Sequence, residues 1–194
     1  MRATLGIDLG TSGVRAVVLG GTHRCEVAGM CAVRLDAADR RDPARLWAAV
    51  AEVLGGLDLS AVGALAVDGT SGTLLAVRGD GTPASGLSLY SDAPPPGTHA
   101  PVDARVLARA IALQASPGAV RVLHEADWVT AQFSGQFDVT DENNALKTGY
   151  DPVARAWPDS LDQTGPRRAM LPRVVAPGTR PGPSVGASLA VQTG

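Results

Sequence analysis

The stretch DLGTSGVR, Asp8 to Arg15, lies between two apolar runs, LGI at 5–7 and AVVL at 16–19. Two apolar segments around a glycine turn read as a β-hairpin, with strands over 3–9 and 14–19. Chain reversal needs no carboxylate and no pair of hydroxyls, yet Asp8, Thr11 and Ser12 sit around Gly10 and Gly13. The glycines permit positive φ and close backbone approach. Successive N–H groups in such a turn form an anion-binding concavity, to which the hydroxyls add donors. A carboxylate beside a phosphate is repulsive unless Mg²⁺ lies between them, so Asp8 suits a metal–water ligand. The plain alternative is a glycine hairpin with an incidental aspartate, since such turns between strands are common.

The bulk composition narrows the setting. The 194 residues are 45% hydrophobic and 19% charged, an ordinary globular balance. The net charge of −2 and the scattered arginines give no track for a nucleic-acid backbone. No run approaches the roughly 18 apolar residues that span a bilayer. The opening MRATLGIDLG has no secretory pattern. Cys25 and Cys31, if on one strand, stand about 20 Å apart, too far for a disulfide. These features predict a cytoplasmic protein without nucleic-acid or membrane partners.

Along the chain, a third strand is expected near 25–34. Asp42-Pro43 supplies an N-cap and a first helical residue. Leu46, Trp47, Val50, Val53 and Leu54 then recur on one face, which predicts a helix over 43–54 ended by Gly55-Gly56. AVGALAV (61–67), TLLAV (73–77) and LSLY (87–90) read as strands, with a surface loop over 92–101. Helices are expected over 104–115 and 121–134, the second ended by Gly135. The proline-containing tail from 171 reads as a connector. Together these elements predict one α/β domain whose sheet starts as a meander and then receives crossover helices.

A second polar turn, DGTSG at 68–72, again places a carboxylate at the end of an apolar strand, before glycines and hydroxyls. Taken alone it reads as a hairpin between 61–67 and 73–77. Neither turn has the spacing of a P-loop or of a dinucleotide fingerprint. Trp128, with Val129 and Phe133, reads as core; Asp127 reads as structural; Asn143 and Asn144 suit turn or cap geometry. His23, His99 and His124 are too dispersed for a metal cluster and read as surface residues.

GIDLGTSGVRAVVL, LAVDGTSGTLLAV, GDGTPASGLSLYSD, HEADWVTAQFSGQFDVTDENNALKTGYD and LPRVVAPGT, in this order, resemble the FGGY carbohydrate kinases. DGTSGT and NALKTGYD resemble most the D-ribulose kinase or xylulokinase-like branch. The resemblance covers nearly the whole chain. It implies a ribonuclease-H-like α/β fold of the actin/Hsp70/sugar-kinase superfamily, a mixed sheet flanked by helices. It also implies ATP and Mg²⁺ as cofactors and a ketopentose as substrate.

Carried over position by position, the resemblance gives Asp8 the task of organising Mg²⁺ and the transferred phosphoryl group. Gly10, Thr11, Ser12 and Gly13 would face the ATP phosphates. Asp68, Ser71, Gly72 and Asp92 would border the sugar. Where the family often has Trp-Asn-Asp-x-Arg, this chain has Leu89-Tyr90-Ser91-Asp92 followed by Ala93-Pro94, without the arginine. The general base of the family lies in a segment just beyond the first domain, about where this chain reaches Gly194. The expectation is therefore a single first domain over 1–194, with a connector-like tail at 171–194 and the second nucleotide-binding domain absent. Such a half would lack turnover by itself, and its inter-domain face would be available for self-association. The alternative is a non-catalytic half-kinase that binds a sugar or a partner.

Overall fold

The computed structural model describes residues 2–21, 25–96, 105–159, 161 and 167–182. The chain divides into two compact units, over Met1–Thr70 and over Ser71–Gly182.

In the first unit, β1 (Ala3–Gly10) and β2 (Gly13–Gly20) pair antiparallel from Thr4↔Leu19 to Gly10↔Gly13. The third strand, β3 (Glu26–Arg34), pairs antiparallel with β2 and completes the meander. A helix, α1 (Pro43–Gly55), then carries the chain to β4 (Val62–Gly69), which pairs parallel with β1. The sheet order is β3-β2-β1-β4, a mixed sheet, because a parallel neighbour requires a crossover and a hairpin does not. Alternation along β1 buries Ala3, Leu5, Ile7 and Leu9 and leaves Thr4 and Asp8 exposed. Helix α1 lies against β2 and β3 and buries Leu46, Ala49, Val50, Val53 and Leu54. Its start is set as the sequence predicts: Pro43 opens the helix, and the Asp42 carboxylate accepts the Ala44 N–H at 2.8 Å.

The second unit holds two small sheets. One pairs β5 (Leu74–Val77) with β6 (Arg121–His124), antiparallel. The other pairs β7 (Val139–Asp141) with β8 (Arg173–Val175), parallel. Helices α2 (Arg105–Leu113), α3 (Glu125–Ser134) and α4 (Glu142–Lys147) pack with them. Leu74, Ala110 and Val122 form a buried cluster flanked by Val106 and Leu113. Trp128 is core, as its helical face predicts, and its indole N–H donates to the Gly81 carbonyl at 3.1 Å.

Several expectations are corrected. The helix over 121–134 is a strand followed by a helix: Arg121–His124 pairs with β5, and only then does α3 begin, ending at Gly135 with φ 72. LSLY is no strand; Ser88 alone bridges to Leu74. DGTSG does not join a hairpin, because β4 pairs with β1 whereas β5 pairs with β6. The tail contributes β8 before residue 176, and its residues 183–194 lie outside the described residues. So do His23, His99 and positions 97–104 of the expected loop and helix start. His124 is buried at 4% exposure rather than a surface residue. No helix among the described residues is long and apolar enough to cross a membrane.

Candidate functional site

Strand pairing in the first unit assembles a row of charges. Asp8 stands opposite Arg15 on β2 and, on its other side, opposite Asp68 on β4. Residues in register share a sheet face, so the two carboxylates stand on adjacent strands at about 4.8 Å spacing. Both lie towards the C-terminal ends of parallel strands, the edge where open α/β sheets bind ligands. Arg15 Nη1 donates to Asp8 Oδ2 at 3.0 Å, with both side chains more than half exposed. Asp8 Oδ1 has no partner among the described residues. The Asp68 carboxylate accepts the Gly69 N–H at 2.8 Å and is likewise exposed. Arg15 is absent from the sequence-derived site, although the hairpin register alone pairs it with Asp8.

The turn itself is shaped by one glycine. Gly13 adopts φ 146, and a Cβ there would lie 2.0 Å from the Val33 carbonyl oxygen. Gly10, by contrast, has no positive φ, and its Cβ would meet nothing closer than 3.5 Å. The Leu35 N–H donates to the Ser12 carbonyl at 3.1 Å and holds the turn from behind. Thr11 and Ser12 are exposed at the tip, and their hydroxyls have no partner among the described residues. Asp8 is not sealed in the core, and the turn presents free oxygen donors beside it.

These groups fit a Mg²⁺ ion. That ion favours oxygen ligands, uses one or two carboxylates and keeps several waters, so it needs no dense cage. Among the described residues no cluster of three or more His, Cys, Asp or Glu forms.

In the second unit, Ser71 is exposed and Gly72 is buried with φ 90. Arg109 of α2, only 2% exposed, is the residue that organises this corner. Its Nη2 donates to the Gly72 carbonyl at 2.8 Å. Its Nη1 donates to the Ser88 carbonyl at 3.0 Å and to the Leu89 carbonyl at 2.7 Å. Burial lowers the Arg109 pKa, partly opposed by Asp92. The Leu89 N–H in turn donates to Asp92 Oδ2 at 2.8 Å, so one oxygen of that carboxylate closes its own turn. In the irregular 88–92 segment Ser88 alone exchanges backbone bonds with Leu74 of β5, the Leu89 carbonyl accepts the Asp92 N–H at 2.9 Å, and the guanidinium adds a donor to both carbonyls. Gly72 and the Asp92 loop are thus brought together through an arginine that the sequence reading omits. Its signal was an arginine between Ala108 and Ala110, within a buried helix face.

No family model matches the chain. Solved structures do. The xylulose kinase of Rhodospirillum rubrum superposes with a TM-score of 0.78 at 18% identity, over 99% of this chain and 47% of that one. The xylulose kinase of Lactobacillus acidophilus gives 0.77 at 13% identity, over 100% and 46%. Plasmodium falciparum glycerol kinase gives 0.71 at 13% identity, over 90% and 43%. The fold is that of the sugar kinases. The chain spans less than half the length of each of these kinases.

Proposed function

We propose that this chain is the phosphate- and sugar-facing half of an ATP-dependent carbohydrate kinase of the FGGY type. Its acceptor is a ketopentose, D-ribulose or D-xylulose, phosphorylated at the terminal hydroxyl in the cytoplasm. The observation that carries the reading is the in-register Asp8 and Asp68 at strand ends, beside a turn with exposed Thr11 and Ser12. A sugar-kinase fold around that arrangement supports it.

Phosphoryl transfer relies on positioning and on electrostatic stabilisation of the transferred group. Mg²⁺ would be held through water by Asp8, with Asp68 alongside, and would supply charge neutralisation at the phosphate oxygens. The turn amides and the Thr11 and Ser12 hydroxyls donate to those oxygens. Arg15 holds Asp8 Oδ2 in place and leaves Oδ1 available. On the second unit, Ser71 and the Asp92 loop border the sugar, kept in place by Arg109. None of these residues is given the role of the base that accepts the sugar hydroxyl's proton. Closure of a second domain over the substrates would exclude water.

The test is ADP release by the product of the complete open reading frame, with D-ribulose, D-xylulose and no sugar. Sugar-dependent release that falls at least about a hundredfold in Asp8→Ala, at unchanged thermal stability, is the expected result. Release independent of sugar would replace the reading with an ATPase of the same fold. No release with any pentulose would favour the non-catalytic binder, to which the Arg15 grip on Asp8 also lends itself.

A further inference from the structure

The second unit contains a cavity of about 410 Å³ that the sequence analysis did not single out. Arg121, Arg155, Arg168 and Arg173 line it, with one carboxylate, Asp138. Four guanidinium groups against one acid give this lining a charge of +3, on a chain whose net charge is −2. The four come from the start of β6, the turn after α4, the 3-10 turn at Arg168–Met170 and the start of β8. They are distant in sequence and converge only on folding. Tyr150 and Trp157 complete the wall, packed edge to face with ring centroids 5.3 Å apart.

Arg155, Arg168 and Arg173 are exposed and Arg121 is half-buried, and three of the four have polar partners. Arg121 Nη1 donates to the Leu171 carbonyl at 3.3 Å. Arg168 Nη2 donates to the Pro158 carbonyl at 3.0 Å and to Asp159 at 3.2 Å. Arg155 Nη2 pairs with Glu142 at 3.1 Å. For Arg121 and Arg155 these bonds use part of a five-donor fork. Arg173 has no side-chain partner among the described residues.

Arg155 is also the one non-glycine at positive φ among the described residues, at 51°. The turn that fixes it is closed by mutual backbone bonds between Asp151 and Ala156 and by Asp151 accepting the Val153 and Ala154 N–H groups. Such conformations gather at ligand clamps.

We propose that this cavity binds a small phosphate monoester. The phosphate would accept from the arginine forks, Arg173 foremost, because planar guanidinium suits bidentate oxyanion recognition. The organic part lies along Trp157. The volume falls in the range of small-molecule sites, about 300–1,000 Å³. Arg155 and Arg168 already pair with Glu142 and Asp159, so Arg121 and Arg173 are the cations whose charge an anion here would chiefly offset.

The site stands on the second unit alone and is read by binding, so its failure and the failure of the kinase reading are separate results. The experiment titrates the chain with ribose 5-phosphate, AMP and inorganic phosphate, by calorimetry and by the Trp157 indole N–H resonance. At least one ester binds saturably and shifts that resonance; whichever ester is tighter identifies the organic part. Arg173→Gln weakens binding at least about tenfold, and Asp138→Asn tightens it, at unchanged thermal stability. Raised salt weakens it in parallel. No saturation by about 10 mM, or equal affinity in the folded Arg173→Gln variant, would overturn the site. Inorganic phosphate binding as tightly as both esters would overturn the role given to Trp157.

Discussion

His124 and Asp127 form an opposed pair of buried titrating groups at the start of α3, and replacing either one should unmask the other. Both His124 ring nitrogens and Asp127 Oδ2 are buried without a hydrogen-bond partner. Burial, reinforced by Arg109, lowers the His124 pKa to about 3. Burial raises that of Asp127 to about 7, against hydrogen bonds from Thr140 and Asn144; the Asn144 side-chain N–H reaches Asp127 Oδ1 at 3.0 Å. Between about pH 4 and 6.5 the native state holds the Asp127 proton that the unfolded chain has lost. Over the same window the unfolded chain holds a His124 proton that the native state excludes. Stability falls with rising pH for the first and rises for the second, so the two slopes cancel in the wild type. Asp127→Asn, which keeps an acceptor for Asn144, leaves the His124 slope alone: stability should rise by up to about 1.4 kcal/mol per pH unit up to pH 6.5. His124→Asn leaves the Asp127 slope, a loss of at most about 4 kcal/mol from pH 4 to above 7. Urea unfolding of the three proteins at several pH values measures these differences, and titrations common to all three drop out. If the stability gap between Asp127→Asn and the wild type stays constant across that range, the assignment of a buried, neutral Asp127 is wrong.

Other consequences are simpler to read. Gly13→Ala meets the Val33 carbonyl at 2.0 Å and should cost more than about 2 kcal/mol, while Gly10→Ala should cost under about 1 kcal/mol; equal costs in urea unfolding would contradict the turn geometry. Arg109→Met should lose about 1–3 kcal/mol, because it strands the Gly72 carbonyl, whereas the Ser88 and Leu89 carbonyls keep the backbone N–H groups of Leu74 and Asp92. Arg109→Lys should recover less than half of that, since a point charge cannot serve three carbonyls as a fork does. Asp42→Ala should lower stability by about 1 kcal/mol by removing the bond to Ala44, readable as a shift in urea midpoint.

What could be read from the sequence was what local chemistry decides. The hairpin around 8–15 and the helix opened by Asp42-Pro43 follow from turn residues, a cap and spacing, all within a few positions. What failed was decided at a distance. RVLH at 121–124 carries too short a pattern to tell strand from helix, and its pairing with β5, far back in the chain, settles it. ENNALK is only six residues long and carries the weak helix formers Asn143 and Asn144; Asp141 caps it through the Asn144 N–H, and Asn144 is tied to Asp127 on α3. In the site, Asp8 and the turn were legible, and the Asp8–Arg15 pair follows from the hairpin register. The alignment of Asp8 with Asp68 rests on a parallel pairing across some sixty residues, which no local pattern encodes. Arg109 and the four converging arginines were missed for the same reason, since a lone arginine gives no sign of what it will meet.

The claim on which the functional account depends is that the turn between β1 and β2 receives nucleotide phosphates with Asp8 beside the metal. Backbone amide spectra of the chain, titrated with ATP with and without Mg²⁺, test it directly. The account predicts saturable, Mg²⁺-dependent shifts centred on Gly10, Thr11, Ser12 and Gly13, with the metal dependence gone in Asp8→Asn. A folded spectrum in which those four amides stay unmoved up to about 10 mM Mg·ATP would contradict it.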